Sequence, residues 1–412
     1  MAQLLQTISP TPGGSSTMTQ IRLRPIDDEP ATHVLIIGVG YYRHLLGGPE
    51  PRNRVHLGLN SLRSPAISAM QLATWILNGN GTALNGGLNN PRAPLTTLEV
   101  LISSEQQAQI NAIGAVHDIE RASLPNVCLA FDRWLAEVQR NPDNVGILYF
   151  CGHGVMGNGP EHFLLLDDHG EKQNRPFATG SFDISNTVRA LWRQVQAQLY
   201  IFVDACRTYN RSVGERLSSR PAALLDDGVS SENINRGTTW IESTAEGEKA
   251  YGDSNGVSRF TDALLRALNG YCGAPQSGTS NWVINGSALV QAMPKLLAMI
   301  NKERGGAPQA CAPHPSGSMD APLHVTNDVP KVKVEIELTP EVLRIISSYE
   351  IHNLVDASSP PITGGLSEGI WCTEASKGMY EVRIASVMHQ PYSSGTQHLE
   401  PPLYFLPVEV QP

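Results

Sequence analysis

The sequence has no CxxC pair. Its six cysteines, Cys128, Cys151, Cys206, Cys272, Cys311 and Cys372, stand singly along 412 residues. That spacing excludes a zinc ribbon or a thioredoxin-type site, and the density argues against a disulfide framework. Long hydrophobic runs are also missing: nothing approaches the ~18 consecutive apolar residues of a membrane span. Charged residues are only 17% of the chain, too few for a disordered or coiled-coil protein, while 41% apolar residues suffice for a large core. Positive charge is in deficit, with 30 Lys and Arg against 39 Asp and Glu and a net charge of -9. Neither nucleic acid nor an anionic membrane is therefore expected as the main partner. The N-terminus, MAQLLQTISPTPGGSS, has no basic start and no apolar core and reads as no signal peptide. The expected location is a reducing cytoplasm.

Several domains fit this length. Residues 1–30, rich in Pro, Gly, Ser and Thr, read as a flexible leader. From residue 33 short apolar runs alternate with helical periods. HVLIIGVG, TLEVLIS, VGILYF, HFLLLD, QLYIFVDAC and GTTWIEST read as strands. SLRSPAISAMQLATWIL, with Leu62, Ala66, Ala69, Ala73 and Ile76 on one face, reads as a helix. So do NVCLAFDRWLAEVQR, ISNTVRALWRQV, SRFTDALLRALNG and SALVQAMPKLLAMI. This alternation predicts an α/β domain over 31–303, a mostly parallel sheet with helices on both faces. Residues 304–329 have the Pro/Gly/Ser composition of a linker. Beyond them KVKVEIEL, YEIHNLV, GMYEVRIAS and LYFLPVEV predict an all-β, sandwich-like accessory domain over 330–412. The polar, Arg-rich stretch 208–236 reads as a mobile loop of functional length.

Three candidate chemistries follow. Gly38 and Gly40 open a GxGxxG frame, but Arg43 fills the third glycine position, so a turn at a strand end is the better reading. His153, His162 and His169, with Asp167 and Asp168, match no metal-ligand spacing, and neither metal nor cofactor is predicted. The third is the pair His153 and Cys206. Each follows the carboxyl end of a predicted strand, the edge where open α/β sheets build their sites. An imidazole beside a thiol makes a nucleophile, and the two lie 53 residues apart in sequence. Cys151 is nearer to His153 in sequence, but it belongs to the strand and reads as a small buried residue.

YFCGHG and FVDACR resemble the histidine and cysteine blocks of the caspase-like cysteine peptidases (peptidase family C14), caspases, metacaspases and their bacterial relatives among them. The resemblance covers residues 31–300 and implies a caspase-like fold. It makes Cys206 the nucleophile, His153 the acid–base group and the amides of Gly154 and Cys206 the oxyanion donors. Asp204, two residues before the nucleophile where caspases carry Gln, implies the metacaspase preference for Arg or Lys. The second pocket acid of such chains is replaced by Ser68; Glu246 or Glu248 is an alternative source, although a solvated turn is the better reading of that stretch. Of the calcium-site acids of some metacaspases, only Asp168 matches.

The implied function is a cysteine endopeptidase acting on protein or peptide substrates. Self-processing within 208–236, a role in bacterial defence or cell death, and a regulatory partner bound through the β domain are further expectations. The alternative is an inactive, protein-binding member of the same fold.

Overall fold

The computed structural model describes residues 20–78, 87–112, 114–157, 159–209, 220–228, 236–245, 247, 250, 256–367, 369–386 and 390–409. The first unit is a seven-stranded sheet. In chain order its elements are β1 (Gln20–Arg22), β2 (Thr32–Val39), α1 (Ser64–Asn78), β3 (Leu95–Ser103), α2 (Leu124–Gln139), β4 (Val145–Gly152), α3 (Ile184–Gln194), β5 (Gln198–Ala205), β6 (Gly237–Glu242), α4 (Arg259–Arg266), α5 (Gly286–Arg304) and β7 (Ala312–Gly317). The spatial order is β1-β3-β2-β4-β5-β6-β7. The five inner strands run parallel, and an antiparallel strand closes each edge.

The inner strands are apolar almost throughout because both of their faces are covered. Along β4, Ile147, Tyr149 and Cys151 face one layer and Leu148 and Phe150 the other. The first layer contains α1, α4 and α5, with Trp75, Phe260 and Leu297 buried against the sheet. The second contains α2 and α3, with Phe131, Trp134 and Leu191. Each of α3, α4 and α5 starts at a polar cap: Asp183, Ser258 and Asn285 accept the backbone N–H of the third residue on. A turn over Ala267–Tyr271, with Gly270 at φ 101°, ends the α4 segment at the glycine the sequence marks as its stop.

Both edge strands depart from the sequence reading. β1 lies inside the expected leader, yet Ile21 is 1% exposed and packs into the core. β7 lies inside the expected linker, where its prolines disguise it. Pro313 and Pro315 pair opposite Ile241 and Thr239, and an edge strand tolerates residues that cannot donate. Pro322–Thr326, also in that stretch, pairs with Trp282–Asn285. A third difference concerns HFLLLD. His162–Leu165 is a strand, but it belongs to a small side sheet with Thr208–Tyr209, Gly154–Met156 and Ser181–Asp183.

The C-terminal unit packs two sheets face to face. One has Gly365–Ser367, Ile370–Ser376, Lys331–Thr339 and Leu403–Glu409. The other has Ser347–Asn353, Gly378–Ser386 and Tyr392–Leu399. Val334, Ile336, Ile351, Trp371 and Val382 fill the space between them. All pairs are antiparallel except Lys331–Thr339 with Leu403–Glu409.

Gly38 and Gly40 have a packing explanation. A side-chain carbon on Gly38 would collide with the Ala69 methyl, and one on Gly40 with the Leu62 carbonyl oxygen. The glycines let α1 and the segment leading into it lie directly on β2. Gly38→Val is expected to lower unfolding free energy by about 1–3 kcal/mol, the ordinary cost of overpacking. Urea titration would show it as a reduced midpoint with an unchanged slope.

Candidate active site

Two neighbouring parallel strands, β4 and β5, build the site. Their register sets Cys151 opposite Asp204 and Gly152 opposite Ala205. Both chains then leave the sheet and pair again, Val155 opposite Thr208 and Met156 opposite Tyr209. The residue offset is the same on either side of the break, and it is the offset between His153 and Cys206. The two residues thus fall at the same level of the two chains, at the strands' carboxyl end.

His153 is 7% exposed. Its Nε2 lies 2.7 Å from the carbonyl oxygen of Asn60. A carbonyl only accepts, so Nε2 carries the hydrogen and Nδ1 is left with the lone pair of a base. Desolvation drives its pKa down to about 4, against a smaller opposing effect of the Asn60 carbonyl. The resting ring is neutral at pH 7. Its backbone N–H donates to the Tyr42 hydroxyl at 2.7 Å, and that hydroxyl donates in turn to the Leu165 carbonyl at 3.4 Å. Gly152 is a glycine because a side chain there would strike the Tyr42 hydroxyl and the Phe150 ring.

Cys206 is partly exposed, and its Sγ accepts the Ala250 N–H at 3.3 Å. Its carbonyl oxygen accepts from Nε2 of His162 at 3.0 Å. Gly154 sits against the same group, and a side chain on it would collide with His162 Nε2 and the Cys206 carbonyl. The glycine after the histidine is thus required by close packing, whatever its amide does.

Asp204 and Ser68 are both buried and share a partner. Ser258, the cap of α4, gives its hydroxyl to Asp204 Oδ2 and its N–H to Ser68 Oγ at 2.9 Å. Asp204 Oδ2 also accepts from Thr261 Oγ1 at 3.1 Å and from the Cys151 thiol at 3.4 Å. Burial raises the Asp204 pKa, and these donors oppose the rise. Cys151 is fully enclosed, and its own thiol is pushed far up by desolvation and the adjacent carboxylate. It is a core residue with no nucleophilic character at neutral pH.

Under the Cys206 segment lies a cluster that sequence reasoning did not assemble. Glu242, at the end of β6, has Oε1 2.8 Å from His162 Nδ1. Its Oε2 lies 3.0 Å from Arg207 Nη1 and 3.0 Å from His314 Nε2. Burial alone would raise its carboxyl, but hydrogen bonds from the two histidines and the Arg207 charge hold it down at about 2. An acid ending an otherwise uncharged strand was the available signal.

The remaining expected residues have structural partners. Asp167 takes Arg43 at 2.7 Å, Arg121 at 2.9 Å and Ser103 at 3.0 Å. Asp168 accepts the Leu124 N–H at the start of α2 at 3.0 Å. His169 is wholly buried and held neutral by desolvation, with a pKa of about 3. Among the described residues no cluster of three or more His, Cys, Asp or Glu is placed to hold a metal ion, and no helix is long and apolar enough to cross a membrane. Glu246, Glu248 and most of 208–236 lie outside the described residues.

The family model for the caspase domain of the C14 peptidases matches residues 32–282. An uncharacterized protein of Sinorhizobium fredii is 29% identical over 305 residues, 71% of this chain and 86% of that protein. Among solved structures, caspase-1 from Spodoptera frugiperda aligns over 71% of this chain and 88% of its own, at 11% identity and a TM-score of 0.36.

The buried neutral histidines predict acid sensitivity. His33 and His153 have pKa values of about 4, below the unfolded value of 6.5, with burial as the leading cause. The unfolded chain therefore binds more protons between those values, so stability rises with pH across the window. Their contribution is complete above pH ~6.5 and is lost as pH falls toward ~4. Urea midpoints across that range should decline steeply, and less so in His169→Phe; a flat profile would contradict the assignment.

Proposed function

Because the chain belongs to the caspase-domain family of cysteine peptidases, we propose that it is a cysteine endopeptidase in which Cys206 attacks the scissile carbonyl and His153 transfers the protons. The observation that carries this reading is the matched register on both sides of the break, which sets the two residues at the same level of the two chains. His153 Nδ1 takes the Cys206 proton as the thiolate forms and returns it to the leaving amine. Nε2 stays bound to the Asn60 carbonyl, which orients the ring and steadies the imidazolium while it exists. A water, deprotonated by the same Nδ1, then releases the acyl group. The amides of Gly154 and Cys206 are the proposed oxyanion donors.

The proposed cut follows Arg or Lys. Asp204 lies on the same sheet face as Cys151, beside the dyad, and is the acid nearest in sequence to the nucleophile. Among the described residues its carboxylate is partnered by hydroxyls and a thiol, so a substrate ammonium or guanidinium would complete its charge balance. Ser68, two bonds away through Ser258, supplies a neutral wall where a second acid would strengthen the preference. A protein substrate, action inside the cytoplasm and a part in bacterial defence or cell death accord with this reading. The β domain is the proposed seat of a regulatory contact. It is tied to the peptidase unit by Lys302 to Glu335 at 2.8 Å, Lys333 to Glu303 at 3.0 Å and Tyr271 to Glu374.

Fluorogenic peptides ending in Arg, Lys or Asp provide the test. Arg- and Lys-ending peptides should be cleaved, with kcat/KM reduced at least about 10³-fold in Cys206→Ala and His153→Ala. Asp204→Asn should lower kcat/KM for Arg-ending peptides at least about tenfold. Turnover of the Asp-ending peptide alone would refute the specificity. Labelling of Cys206 by a peptidyl electrophile, blocked by His153→Ala, would mark the enzyme; neither labelling nor hydrolysis would favour an inactive binding protein.

A further inference from the structure

His162 is wholly buried, and both of its ring nitrogens face acceptors. Nδ1 meets the ionised carboxylate of Glu242 at 2.8 Å, and Nε2 meets the Cys206 carbonyl at 3.0 Å. A neutral imidazole has one N–H, so it would leave a ring lone pair pointed at one of these oxygens with no water to intervene. Only the imidazolium donates to both. His153, by contrast, has one acceptor and stays neutral.

We propose that His162 is a permanently charged positioning residue. Clamped between Glu242 and the Cys206 carbonyl, it fixes the backbone that presents the nucleophile and places a positive charge behind it that favours the thiolate. This rests on the reading of Cys206 as the nucleophile. The other charged groups nearby are paired or partly neutralised: Asp204, two residues before Cys206, is buried among the Ser258 and Thr261 hydroxyls and the Cys151 thiol, and burial raises its pKa. Arg207, the next residue, binds Glu242 Oε2, and His314 shares that oxygen. Glu161, beside His162 in the chain, is matched by Arg220. Ser185 contributes only a hydroxyl, bound to the His162 N–H. On the far side of Cys206, Tyr42 keeps its proton, since burial pushes its pKa well up. Gly154 gives the ring its space, because any side chain there would strike Nε2.

The test is the rate of Cys206 alkylation by iodoacetamide against pH, followed by mass spectrometry of its peptide in wild type and His162→Gln. Glutamine keeps a donor for the Cys206 carbonyl but carries no charge. The variant should react about tenfold more slowly near pH 7 and equally fast at high pH, where the thiol is fully ionised. Superimposable profiles would overturn the proposal. A second measurement needs no variant. In wild-type protein labelled with 15N-histidine, one ring should remain doubly protonated at about pH 8, well above the usual histidine range. Only neutral rings there would overturn the proposal too. A shifted profile without peptide hydrolysis would leave His162 its role and remove the peptidase reading. Hydrolysis with unshifted profiles would do the reverse.

Discussion

Everything at this site depends on the parallel register of β4 and β5. Backbone hydrogen bonds set it, and a large apolar core on both faces holds it, so it is as rigid as any part of the molecule. A slip of one residue would turn every side chain of β5 to the opposite face, carrying Asp204 away from Cys151 and α4 and placing Val203 there instead. The strands stop pairing over His153–Gly154 and Cys206–Arg207 and resume at Val155 and Thr208. The proposed dyad therefore occupies a gap with both of its sides fixed, which is how a chain can free two side chains from a sheet without giving up their relative position.

Two histidines at this site have opposite surroundings. His153 is buried with one carbonyl partner, and desolvation dominates, so it rests neutral and able to take a proton. His162 is buried as deeply, but an ionised carboxylate faces one nitrogen and a carbonyl the other. Burial penalises any isolated charge, so the difference lies in Glu242, which brings a compensating negative charge into the same enclosure. Glu242 in turn stays ionised because His162, His314 and Arg207 converge on it. In the proposed mechanism the two rings therefore have separate parts: His153 carries the proton and His162 holds the backbone of Cys206.

The strand and helix periods, the motif glycines and the single spacing of His153 and Cys206 were legible because each is a local pattern or a pair of local patterns. Residues that reach the site through their backbones were not. Asn60 acts by its carbonyl, and any residue type could supply one. Ser258 looks like an ordinary helix cap and is one, and only the fold shows that its hydroxyl also serves Asp204. The edge strand β7 was hidden by Pro313 and Pro315, whose composition speaks for a linker while their edge position makes them harmless. His162 is visible in the sequence, but metal-ligand spacing does not reveal its partners. Its partners are Glu242 and a main-chain oxygen, 80 residues away and 44 residues away in sequence.

The C-terminal β unit meets this arrangement through α4 and α5. Ser258, at the start of α4, holds Asp204 and Ser68. Arg266, at its end, binds Glu303 at 2.8 Å, and Glu303 binds Lys333 of the β unit at 3.0 Å. Arg304 of α5 adds a contact to Asp262 within α4 at 2.6 Å. One helix of eight residues thus touches the acid beside the dyad at one end and answers to the β unit at the other. These ion pairs are partly exposed, and such pairs are individually worth at most about 1 kcal/mol. They add to the burial of Phe260, Ala263 and Leu264, which seats α4 against the sheet. The physical content of the connection is therefore support: it limits how far Ser258, and with it Asp204, can drift from the strand ends where the dyad stands.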